Sequence, residues 1–101
     1  MIMKVTFREK YMKKKGIEEI TAELEEEMQE AEDFEYTNMN IRDGGETVWI
    51  MCNDPEDRAK IRDFLITKEV LLVIESDNKR FFGKYASKDE KERWKKSNPP
   101  G

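Results

Sequence analysis

An α+β fold is predicted for this chain of 101 residues by three observations. The hydrophobic period switches between two and three-to-four along the chain, glycine-, asparagine- and proline-bearing turns mark the switches, and the apolar runs have the lengths of strands and short helices. Charged residues make up 42% and hydrophobic ones 37%, a balance that leans toward disorder. The apolar residues are nevertheless gathered into runs, and a chain of this length can bury one core.

In "MIMKVTFR" Met1, Met3, Val5 and Phe7 fall on one face and Lys4, Thr6 and Arg8 on the other, which predicts a half-buried strand. "EKYMKKK" reads as a basic connection, and Gly16 permits the turn after it. Ile17, Ile20, Leu24, Met28, Ala31 and Phe34 then recur at three and four, lining one stripe of a helix that runs to about residue 33. "EYTNMNI" and "TVWIMC" are strands joined by the tight turn "RDGGE". In the second of them Val48, Ile50 and Cys52 face one way and Trp49 and Met51 the other, so both faces are apolar. "NDPEDRAKIRDFLITK" starts a helix with Asp54 as cap and Pro55 at the first position, and Ile61, Phe64 and Leu65 form its buried stripe. "EVLLVIES" is a strand dry on both faces, "SDNK" a turn and "RFFGKY" a fifth strand. "SKDE", at Ser87 to Glu90, fits a capping box opening a short helix with Trp94. The order β-α-β-β-α-β predicts a ferredoxin-like split βαβ sandwich with both main helices on one face, extended by a C-terminal hairpin strand and a short terminal helix. Residues 1–97 form one domain and 98–101 a flexible tail.

Two strands apolar on both faces imply that the helix-free face is covered, since leaving such side chains in water forfeits about 1.5–3 kcal/mol each. The C-terminal helix is one candidate cover, and a second copy of the chain or another protein is the other.

The chemistry is bounded by absences. Without histidine there is no Ser-His or Cys-His nucleophile, and with Cys52 alone there is no disulfide and no His/Cys zinc site. Cys52, in an apolar strand, reads as a packed hydrophobe. "NDPED" gathers three carboxylates, but capping uses all of them without a metal, and "RDGGE" is too short for a phosphate loop. No cofactor, metal or small-molecule substrate is expected, and the chain is read as non-enzymatic. With neither an apolar signal core nor a run near the ~20 residues of a membrane span, a cytoplasmic setting is expected.

Charge is segregated. Residues 1–15 carry six cations against one carboxylate and residues 79–101 eight against three, while residues 16–41 carry ten carboxylates and no cation. On the predicted helix Glu23/Glu27, Glu26/Glu30 and Glu23/Glu26 are like-charged neighbours, each costing roughly a few tenths of a kcal/mol. A solvated face is the plain reading of that run. The functional one is docking on a protein partner, with Glu23, Glu26, Glu27 and Glu30 for electrostatics and Trp49 and Met51 for apolar contact. Carboxylates about 5–6 Å apart on successive turns could enter a basic cleft built for nucleic acid, the decoy device of small, often phage-encoded inhibitors, an analogy of class only. The alternative is RNA or single-stranded DNA binding by Lys79, Arg80, Phe82, Lys84, Arg93, Trp94 and Lys95, basic residues interleaved with aromatics.

Overall fold

Alternation along β1 (Ile2–Phe7) organises the molecule, because Met3, Val5 and Phe7 bury on one side while Lys4 and Thr6 point to the other. A computed structural model describes residues 2–31, 35–36 and 38–100; Met1 and Phe34, placed above on apolar stripes, lie outside them. After β1 come α1 (Glu9–Lys14), α2 (Ile17–Ala31), β2 (Asn38–Arg42), β3 (Thr47–Met51), α3 (Pro55–Leu65), β4 (Leu71–Ser76), β5 (Lys79–Phe82) and α4 (Lys88–Ser97). The five strands form one antiparallel sheet in the order β2-β3-β1-β4-β5. An α+β architecture is thereby established.

On the first face of the sheet, Met3, Val5, Val48, Ile50, Leu71 and Ile74 pack against Ile20, Leu24 and Met28 of α2 and Ile61 and Leu65 of α3. Asp54 caps α3 as its spacing predicts, accepting the Asp57 amide at 2.9 Å. Helix α1 replaces the connection read in "EKYMKKK". Glu9 in its first turn and Lys13 and Lys14 in its last complement the helix dipole, Lys13 pairs with Glu9 at 3.1 Å, and Tyr11 and Met12 lean on the core.

The second face carries α4. A register shift between Thr6 and Phe7 sets Phe7 opposite Leu71 and Thr6 opposite Val73, so Leu72 is an extra residue and both it and Val73 turn toward α4. There they meet Ala86, Phe82 and Trp94, the two rings lying edge to face at 5.8 Å. Ser87 and Glu90 close the predicted capping box, and the Arg8 guanidinium binds the Glu90 carboxylate at 3.0 and 3.1 Å. The predicted strand "RFFGKY" ends early, at Phe82; Gly83 still donates its N–H to the Leu72 carbonyl at 2.9 Å and lies so close to β4 that a Cβ would stand 2.2 Å from the Leu71 carbonyl oxygen.

Cover of the second face is thus divided. Over β4 and β5 the chain roofs itself with α4. On β1 and β3 the same face keeps Ile2 at 44% and Met51 at 37% exposure.

Candidate binding surfaces

The open half of the second face is assembled by strand register. Asn40, Trp49, Lys4, Glu75 and Arg80 form one row across all five strands, with Asn38, Met51 and Ile2 in the row beside it. Trp49 is half-buried at the centre, and the Arg42 guanidinium stands 5.7 Å from its ring centroid. The β2–β3 turn curls back over this patch. Asp43, at φ +56°, accepts a 2.5 Å hydrogen bond from Thr47 Oγ1 and lies 3.6 Å from Lys4 Nζ. The Thr47 hydroxyl, then Lys4, hold its carboxyl below the usual range. The buried Trp49 Nε1 helps lower that carboxyl through its proximity, yet it completes no hydrogen bond of ordinary geometry among the described residues.

Helix α2 presents its carboxylates on the other side of the sheet. Glu23 is taken by Lys15 at 3.0 Å and Glu27 by Lys68, whereas Glu26 and Glu30 are exposed and make no ion pair among the described residues. The bond to Glu23 raises the Lys15 ammonium above its ordinary pKa. Because α2 packs on the first face, the four glutamates and the pair Trp49 and Met51 do not share a surface. One flat contact cannot use both sets.

The basic and aromatic residues of the C-terminal segment are gathered in part: Arg80, Phe82, Trp94 and Lys95 cluster, and Lys79, Lys84 and Arg93 have other neighbours. Phe82 and Trp94 pack on each other. Arg80 stacks at 4.6 Å on Trp94 while its Nη2 donates to the Asn98 carbonyl, Lys95 sits 5.3 Å from the Phe82 centroid, and Arg93 pairs with Asp89 and Glu9. Lys84 stands 6.0 Å from the exposed Tyr85, and Lys79 lies on the first face, opposite Ser76.

Cys52 is buried, and burial pushes its thiol up, away from reactivity. Asp54 is lowered by the Asp57 amide it caps, while Asp57 is raised by burial and by Asp54, the signature of a helix cap. No helix among the described residues is long and apolar enough to cross a membrane.

Sequence reasoning missed Lys4, Asn40, Arg42 and Asp43 as neighbours of Trp49. Alternation already put Lys4 opposite the Met3 and Val5 face, and pairing β1 with β3 would have brought it to Trp49. No protein-family model matches the chain, and neither a curated protein nor a solved structure matches it at a significant level.

Proposed function

We propose that the chain is a non-catalytic binding module on a ferredoxin-like split βαβ core, and that its ligand is another protein seated on the open half of the sheet. For the core, the β2-β3-β1-β4 order supports the reading, with β3 inserted between the two strands that α2 joins. For the function, the carrying observation is Trp49 flanked by exposed Ile2 and Met51 and rimmed by Lys4, Arg42, Asn38 and Asn40. Tryptophan, methionine and arginine are the residues that interface centres concentrate, within a polar rim.

Size and charge select the kind of partner. Three apolar side chains are a small patch beside the 2,000 Å² or more of a typical permanent homodimer, so the contact is transient. Asp43 already pairs with Lys4 and Glu75 with Arg80, so Arg42 is the cation left without an ion pair among the described residues, and a symmetric pair would leave it without a carboxylate. A different protein, offering a carboxylate to Arg42 beside an apolar side chain, fits better. Glu26 and Glu30 then act on the encounter, repelling that acidic partner from the wrong side. A decoy role for α2 would instead need a basic partner and would rest on the same two carboxylates. Oligonucleotide binding has the cations around Phe82 and Trp94 in its favour, but those rings already pack together.

The test is isolation of the partner from the native cell, followed by calorimetry of the purified pair. Trp49→Ala and Met51→Asp should each weaken binding at least tenfold with the melting curve retained. Glu26→Lys with Glu30→Lys should leave affinity within threefold at physiological salt. The reverse pattern moves the site to α2, and salt-steep binding of short oligonucleotides with no protein partner overturns the proposal.

A further inference from the structure

At the far end of the first face, between α3 and the β4–β5 hairpin, lies a cavity of about 70 Å³ lined by Arg58, Arg62, Ser76, Asp77 and Lys79 over an apolar floor. The backbone explains the gathering. Asp77 and Asn78 both adopt positive φ, +52° and +62°, the two-residue turn that sets Ser76 directly opposite Lys79. Both side chains therefore lean toward α3, where Arg58 and Arg62, one turn apart, share a helix face. Arg58 is held by Asp77, and Arg62 is held by Asp63 at 3.0 Å and stacked 4.8 Å from the Phe81 ring centroid. Each guanidinium has five N–H donors, so both keep some to spare. Lys79 makes no ion pair among the described residues. Ser76 Oγ is buried and has no hydrogen-bond partner among the described residues.

We infer that this cavity binds a phosphate-sized oxyanion. Three cations against two carboxylates, Asp77 and Asp63, leave one positive charge in excess, carried by the unpaired Lys79, and the orphaned Ser76 hydroxyl is a donor that an oxyanion would satisfy. Guanidinium forks and a hydroxyl match the tetrahedral oxygens of phosphate better than a halide. The space admits one phosphate group among these donors, and Asp77 and Lys79 are exposed at its mouth. The ligand is inorganic phosphate or the phosphate end of a small monoester whose remainder projects past Lys79. This site is distinct from the Trp49 patch, which lies on the opposite face, and stands independently of it.

Titration of the intact chain with sodium phosphate, with glycerol phosphate and with sodium chloride at matched ionic strength tests the inference by calorimetry and melting temperature. Phosphate or the ester should bind saturably, and at ten times Kd should raise Tm by on the order of 5 °C. The stronger of the two arms identifies the free ion or the ester. Arg62→Gln and Lys79→Gln should each weaken binding at least fivefold. Ser76→Ala should weaken it as well while leaving the ligand-free Tm unchanged or higher, because it deletes an unpaired buried hydroxyl. A chloride response equal to that of phosphate, or Ser76→Ala and Arg62→Gln proteins that bind like wild type, overturns the inference.

Discussion

Glu90 joins two parts of the chain, the start of α4 and the end of β1, through one carboxylate. It accepts the Ser87 amide at 2.9 Å within the capping box and receives Arg8 from the end of β1, with both side chains nearly nine-tenths buried. Burial alone would raise its pKa, but the bonds from Arg8 and Ser87 prevail and hold it below the usual range. Glu90→Gln should therefore cost about 2 kcal/mol in denaturant unfolding at pH 7, the scale of a charge-assisted hydrogen bond. A depressed carboxyl contributes stability that is complete above its unfolded value near ~4.3 and is lost as pH falls through its folded value. The gap between wild type and Glu90→Gln should accordingly close on acidification below that value. Gly83 is the second decisive residue: Gly83→Ala would drive a Cβ into the Leu71 carbonyl, and equilibrium unfolding should show a loss of about 1–3 kcal/mol or more. Its place inside "RFFGKY" gave no hint of this, because the obstruction comes from β4, twelve residues earlier.

Helix α4 illustrates how an element can be legible at its start and obscure in its role. "SKDE" announces the capping box by spacing alone, yet nothing in that spacing says that the helix, with no fully buried residue of its own, roofs β4 and β5. That follows from Trp94 meeting Phe82 on a strand four-fifths of the way along the chain. Trp94→Ala should speed amide exchange throughout α4 while β1, β3 and β4 keep their protection, since those strands have a separate core on the first face. Helix α1 went unread because its Tyr11 and Met12 are adjacent, so it lacks the three-and-four recurrence that exposed α2. On α2 itself, Glu26→Gln with Glu30→Gln should raise Tm by roughly 1–3 °C at low ionic strength, with the gain vanishing in 1 M salt, as like-charge repulsion is relieved or screened.

Across the whole molecule the acidic helix and the C-terminal basic helix lie on opposite faces of the sheet. Helix α2, with seven glutamates and no cation, stands on the first face, and α4, with five cations and three carboxylates, on the second. The basic N-terminal block, by contrast, sits beside α2 and pairs with it through Lys15 and Glu23. Strand and helix order were readable because each depends on local period. The two candidate sites were not, because each is made by register: Trp49 meets Lys4 only when β1 pairs with β3, and Ser76 and Lys79 meet Arg58 and Arg62 only when the hairpin folds beside α3. Of the two covers expected for the second face, the chain's own α4 lies over β4, where Leu72 and Val73 are buried, while on β3 Met51 stays exposed, the place left for a cover from another molecule.

One extra residue decides that division. A chain shortened by Leu72 alone would regain unbroken alternation, with Leu71 and Ile74 still turned inward and Val73 outward. Such a deletion leaves the inner layer in frame while taking away one of the two β4 side chains beneath the C-terminal arm, so length at this single point sets how much of the arm's footing β4 supplies.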